Sequence, residues 1–196
     1  MIKSYKQLKY YWYADEIRNY GKQKSLYFKL TDIRYRLLFL LRACNYLYNK
    51  QHLGFFLKII RRVAFLIYFR TQLRLGVEIN PITDIKEGLF LPHPNGIVMY
   101  AKVKIGKNCT ILQQVTIGNN IRKGIDGIAT LGDNVSIGAG AKIIGQCKIG
   151  NNIIIGANAV VVKDINDNSV VAGIPAKYIS SNVLSPHNAD YEKGIH

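Results

Sequence analysis

The stretch LPHPNGIV, residues 91–98, holds the only histidine between residues 53 and 186, set between two prolines and just ahead of a glycine. A neutral imidazole, with a pKa of about 6.5, can take the proton of a hydroxyl whose own pKa lies far above 7 if it sits within ~3 Å of it. Any imidazole base from the surrounding domain must therefore be His93; the bland alternative is a loop histidine without a chemical role. Three cysteines, Cys44, Cys109 and Cys147, are odd in number and lack metal-ligand spacing, which fits free thiols in a cytoplasmic compartment. An acylated cysteine is the rival nucleophile, but Cys109 and Cys147 fall on apolar positions of the repeat described next, a packing role. No metal is implied, because His93 has no ligand-spaced companions.

What would position His93 is a six-residue beat. Ile79, Ile85, Leu91 and Ile97 are six apart; after a shift of two, Met99, Ile105, Ile111 and Ile117 resume the spacing. After a further break, Leu131, Ile137, Ile143, Ile149, Ile155 and Val161 keep it, with a second apolar or small residue four positions later, as at Val135, Ala141, Cys147 and Ile153. Gly, Asn and Asp fall between, residues that tolerate the backbone of a tight corner. Such a period predicts short parallel strands separated by corners, each coil stacking its apolar residue on the one below. A β-sandwich would show period-two alternation instead.

The N-terminal segment reads differently. Residues 1–75 hold 16 of the 27 basic side chains and three of the 12 acidic ones, so they own +13 of the net +15. Residues 26–50 and 54–75 carry apolar residues at helical spacing, which predicts two helices broken near His52 and Gly54. Neither reaches about 20 apolar residues without charge, so neither predicts a membrane span. The first 21 residues are polar and aromatic and lack the order of a secretory signal. Arg34, Arg36, Arg42, Lys58, Arg61, Arg62 and Arg70 interleave with Leu, Phe, Ile and Tyr. Packed on the solenoid, the helices would cap its open end; their basic, aromatic faces also suit peripheral contact with an anionic membrane. No nucleic-acid-binding motif accompanies them. The expected organisation is a basic helical segment (1–75), a solenoid (76–179) and a polar tail (180–196) expected to be flexible.

The segments GVEINP (76–81), HPNGIV (93–98), IGKNCTILQQVTIGN (105–119), IGAGAKIIG (137–145), IGANAVVVKDI (155–165) and VVAGIPAKYI (170–179) together resemble the hexapeptide-repeat acyltransferases. Within them the chain is similar to the serine O-acetyltransferase-like branch, whose members acetylate serine or the sugars of capsule and exopolysaccharide. The resemblance implies a mainly β fold, a left-handed parallel β-helix behind an α-helical N-terminal segment. It also implies homotrimers or larger assemblies, active sites in grooves between subunits, and acetyl-CoA as donor. It assigns His93 as general base and Glu78, fifteen positions earlier, as the carboxylate that orients it, where serine acetyltransferases usually carry Asp. A carboxylate on the far ring nitrogen would fix the tautomer and stabilise the imidazolium. The hydroxyl would attack the thioester directly, with backbone N–H groups near Gly118 and Asn119 receiving the oxyanion. For CoA, the resemblance implies close approach at the small corners Ala139 and Ala157 and at Gly118 and Asn119. Lys163 and Lys177 would meet phosphates as point charges, although each alone fits a surface role as well.

Two departures bear on the acceptor. Pro92 stands where serine acetyltransferases carry an Asp before the catalytic histidine. Counting ten residues from Gly118, to where they carry an Arg-His pair, lands on Ile128 between Gly127 and Ala129, with Asp126 retained. A zwitterionic substrate would then lack the bidentate guanidinium that offsets its desolvation. The expected acceptor is accordingly a sugar hydroxyl of a capsular or other surface polysaccharide, or of its lipid-linked precursor. The alternative is a serine O-acetyltransferase of cysteine biosynthesis; such enzymes often end in an isoleucine, whereas here His196 follows Ile195. The remaining alternative is a non-catalytic trimeric scaffold, against which the pairing of His93 with Glu78 counts.

Overall fold

The computed structural model of the chain describes residues 1–50, 54–120 and 127–181. His52, Asp126, Ile195 and all but the first residues of the expected tail lie outside the described residues.

The six-residue beat becomes a coil of short strands. These are β1 (Glu78–Ile79), β2 (Asp84–Ile85), β3 (Val98–Met99), β4 (Lys104–Ile105), β5 (Thr110–Ile111), β6 (Thr116–Gly118) and β7 (Thr130–Leu131). They continue as β8 (Val135–Ile137), β9 (Lys142–Ile144), β10 (Lys148–Ile149), β11 (Ile153–Ile155), β12 (Val160–Val161), β13 (Ser169–Ala172) and β14 (Lys177–Ser180). The coils stack into three parallel sheets, a left-handed parallel β-helix. The first sheet is β1-β3-β6-β9-β12, the second β2-β4-β7-β10, and the third β5-β8-β11-β13, which antiparallel β14 closes. Beat residues pair rung on rung, Ile79 with Met99, Met99 with Ile117, and Ile117 with Ile143, and fill the buried interior. The corners use left-handed backbone, with Asn108, Asn134, Asn152, Asn158 and Asn168 at φ between 55° and 58°. The side-chain amides of Asn134, Asn152 and Asn168 form a ladder, at 3.0 and 2.9 Å.

Register also explains where the beat slips. Leu91 to Met99 spans eight positions, whereas Ile111 to Ile117 on the next coil spans six. The two extra residues enlarge the corner that carries His93. The longer break, from Ile117 to Leu131, carries Gly118 and Asn119.

Among the described residues four helices precede the coil, α1 (Tyr5–Tyr20), α2 (Leu26–Thr31), α3 (Ile33–Tyr48) and α4 (Phe55–Leu75), where the spacing predicts two. Asp32 divides residues 26–50: its carboxylate accepts from the N–H groups of Arg34 and Tyr35, both at 2.8 Å, and caps α3. α1 escapes a hydrophobic reading because its buried face includes Asp15, Glu16 and Arg18. Asp15 and side chains of the other helices satisfy backbone groups of the first coil that have no earlier coil to pair with. Arg18 donates to Asn108 O and Thr110 Oγ1 of the next coil, and Glu16 accepts from Lys24 N and Lys29 Nζ. Tyr68 donates to Ile79 O at 2.7 Å and Gln72 accepts from Ile79 N at 2.7 Å. Asn45 donates to Pro81 O, and Arg42 to Ile85 O and Lys86 O. Asp15, ion-paired with Arg42 at 2.7 Å and fully buried with it, accepts from Leu89 N. No helix among the described residues is long and apolar enough to cross a membrane.

Candidate active site

His93 is exposed on the enlarged corner between the third sheet and the first, beside the buried Pro94. Its carbonyl accepts from Asn95 N at 2.8 Å, and Gly96 turns the chain at φ 62°. A Cβ on Gly96 would lie 3.2 Å from Gln114 Cγ of the next coil, so the corner needs glycine for conformation and for space.

The N-terminal helices form the other wall. A cavity of about 230 Å³ is lined by Asn19, Tyr20, Arg34, Phe90, Leu91, Pro92 and His93. Asn19 clamps the strand-like segment before His93: its amide donates to Leu89 O at 2.7 Å and to Asp15 O at 2.8 Å, and accepts from Leu91 N at 3.1 Å. Arg34 donates to Pro92 O at 3.5 Å and to Asp32 Oδ2 at 3.1 Å. Tyr20 donates its hydroxyl to Asp32 Oδ1 at 3.1 Å; burial, reinforced by the Asp32 charge, raises its pKa and keeps it a donor. Burial pushes the Asp32 carboxyl up, but the Tyr35 N–H and Arg34 outweigh it and hold it below the usual carboxylate range.

Glu78 lies on β1, exposed, paired in register with Val98 five residues beyond His93. Its neighbourhood is a second, wider depression of about 930 Å³ under α4, lined by Tyr68, Gln72, Val98 and Tyr100 among others. Among the described residues, neither Glu78 nor His93 has a side-chain hydrogen bond or ion pair, so the two are close along the sheet but not joined.

Ala139 and Ala157 share the edge that carries His93. A ladder of hydrogen bonds links these corners: Gln114 N to Asn95 O, Gly140 N to Gln113 O, and Asn158 N to Ala139 O. At ~4.8 Å per coil, Ala157 lies three coils, about 14 Å, along the edge from His93. Gly118 and Asn119 sit at the opposite edge of the first sheet, and Lys163 follows β12 at that same edge. Lys163 and Lys177 line one cavity of about 300 Å³ at the C-terminal end of the coil. A single protomer thus divides the sequence-predicted residues between two edges.

All three cysteines are buried, and burial pushes the thiols of Cys44 and Cys109 up to about 12. Neither can supply a thiolate nucleophile near neutral pH. No group of three potential metal ligands occurs among the described residues. The sequence reading did not single out Asn19 and Tyr20, and it placed Arg34 only within a basic stripe. Helical spacing marks a face of α3 but not the corner that face meets.

Comparison with known proteins gives the class first. Residues 128–163 match the family described as bacterial transferase hexapeptide (six repeats). The serine acetyltransferase of Helicobacter pylori strain J99 is 37% identical over 137 residues, 70% of this chain and 78% of that protein. That of Mycobacterium tuberculosis is 40% identical over 116 residues, 59% of this chain and 51% of its own. That of Synechococcus elongatus is 34% identical over 138 residues, 70% and 53%. The chain spans about half the length of the latter two. Soybean serine acetyltransferase superposes with a TM-score of 0.73 at 28% identity, over 89% of this chain and 69% of that one. The Neisseria gonorrhoeae enzyme gives 0.72 at 29%, over 90% and 68%. The chain is a hexapeptide transferase, and within that class it belongs to the serine acetyltransferase family.

These relatives overturn the expectation of a polysaccharide acceptor. That expectation rested on Pro92 and on counting residues from Gly118 to Ile128. The count runs through residues 121–126, which lie outside the described residues, and it treats one route to a carboxylate as the only route. Ile128 itself is half-buried.

Proposed function

We propose that the chain transfers acetyl from acetyl-CoA to the hydroxyl of L-serine. The observation that carries this reading is His93, exposed on an enlarged corner inside a small cavity, in a chain of the serine acetyltransferase family. His93 takes the hydroxyl proton as the oxygen attacks the thioester carbonyl. The tetrahedral intermediate's oxyanion is received by backbone N–H groups near Gly118 and Asn119. Collapse breaks the C–S bond, and the departing thiolate recovers the proton from the imidazolium. Glu78, whose carboxylate is otherwise unengaged among the described residues, orients the imidazole once substrate closes the site.

The active assembly is a homotrimer. The division of the candidate residues between two edges supports it: side-by-side copies would bring the His93, Ala139 and Ala157 edge of one subunit to the Gly118, Asn119 and Lys163 edge of the next. CoA lies in that groove, with its phosphates towards Lys163 and Lys177. The test is thiol release from acetyl-CoA with L-serine, wild type beside His93→Ala. Serine-dependent release that vanishes in the variant supports the reading; no release with serine from a folded wild-type trimer rejects it.

The first turns of α4 bear on placement in the cell. Phe55, Phe56, Ile59 and Ile60 are exposed together with Lys58 and Arg62, and α4 has no acidic residue. A like-charged copy is a poor cover for this end, whereas an anionic lipid surface matches its charge and apolar faces. Co-sedimentation with phosphatidylserine vesicles, lost in a Phe55→Ser, Phe56→Ser variant, is the expected result; equal pelleting of wild type and variant rejects it.

A further inference from the structure

Serine offers a site three groups to recognise: the hydroxyl that reacts, an ammonium and a carboxylate. A carboxylate leaving water needs a cationic, preferably forked donor, and Gly127 and Ile128 supply none. We propose that Arg34, from the N-terminal turn of α3, binds the acceptor's carboxylate beside His93. The proposal rests on the serine reading of this site.

Three observations carry it. Arg34 and His93 line the same cavity of about 230 Å³, and among the described residues Arg34 is the one Lys or Arg in its lining. The guanidinium is held before any ligand arrives: Nη1 donates to the carbonyl of Pro92, next to His93 in the chain, at 3.5 Å, and Nη2 to Asp32 Oδ2 at 3.1 Å. Its carbon sits 5.8 Å from the centroid of the Tyr20 ring, and Asp32 is itself fixed by the α3 cap and by Tyr20. Because the side chain is 45% exposed, a small ligand can still reach it. The fork keeps further N–H donors for such a ligand. The neighbouring amide of Asn19 is committed to backbone groups on both of its atoms.

With the carboxylate at Arg34, the serine side chain is the end free to approach His93. The cationic contact that Gly127 and Ile128 do not offer is thereby supplied from a helix. The N-terminal segment then builds the acceptor site as well as capping the coil.

Steady-state kinetics on the full chain test this with two acceptors, L-serine and L-serinamide, which keeps the hydroxyl and amine but has no carboxylate. In Arg34→Gln the KM for L-serine rises by ~10–100-fold, the loss of one charge-assisted contact. Its kcat, its KM for acetyl-CoA and its kcat/KM for serinamide stay close to wild type. Arg34→Lys, which keeps the charge without the fork, falls between. Equal losses on serine and serinamide in both variants, with unchanged melting temperature, would overturn the assignment, as would an unchanged serine KM in Arg34→Gln. Failure of the wild type to use serine is a separate outcome: it removes the serine reading itself, and the role of Arg34 with it.

Discussion

At the scale of single residues, an exposed side chain on a well-packed corner can be removed without disturbing what holds the corner up. His93→Ala should lower kcat by roughly 10²–10⁴-fold, the worth of a positioned proton acceptor, while leaving the melting curve unchanged. Two glycines make a sharper pair. A Cβ on Gly118 would meet only ordinary contacts, Ile144 Cδ1 at 3.8 Å, whereas on Gly138 it would lie 2.5 Å from the backbone nitrogen of Ala157. Gly118→Val should therefore fold normally and raise the KM for acetyl-CoA. Gly138→Val should lower stability by about 1–3 kcal/mol through overpacking against backbone. Thermal melts beside acetyl-CoA titrations separate the two. His93 was legible in the sequence because no other histidine lies in the coil. Arg34 was not: it is one basic residue among many, and what sets it apart is Pro92 O, 58 positions away.

The elements divide in the same way. Strands were legible because a rung repeats itself, and each rung reports the one beneath. The first slip of the beat proved as informative as the beat, since its two extra residues enlarge the corner that carries His93. α1 was hidden because it meets the coil through hydrogen bonds. Arg42→Ala tests that mode of packing: it strands the Asp15 carboxylate in the interior together with two carbonyls, and should cost about 3–5 kcal/mol. The cap of α3 gives a pH signature. The Asp32 carboxyl is held below its unfolded value, so its contribution is full above the unfolded pKa, near 4, and is lost as pH falls through the depressed folded value. Melting temperature should drop more steeply between pH 4 and pH 2 in wild type than in Asp32→Asn, which differential scanning calorimetry would record.

For the whole molecule, the two-edge distribution of candidate residues predicts a shared site. Inactive His93→Ala and Gly118→Phe chains, mixed by co-refolding, should regain activity, because about a quarter of randomly assorted grooves would draw both intact edges. Recovery well below that share would mean each groove is built within one chain. Symmetry of this kind is invisible in a single sequence, which lists both edges without saying how copies would meet.

The helical cap has one more consequence, for the order of assembly. Each coil of the solenoid needs a finished coil to hydrogen-bond to, and the first has none. Tyr68, Gln72, Asn45, Arg42, Asp15 and Asn19 stand in for it. All six precede the first strand in the chain, so the template exists before the ribosome has released anything that needs templating. Growth can then follow synthesis, coil upon coil, with one unpaired rim at a time.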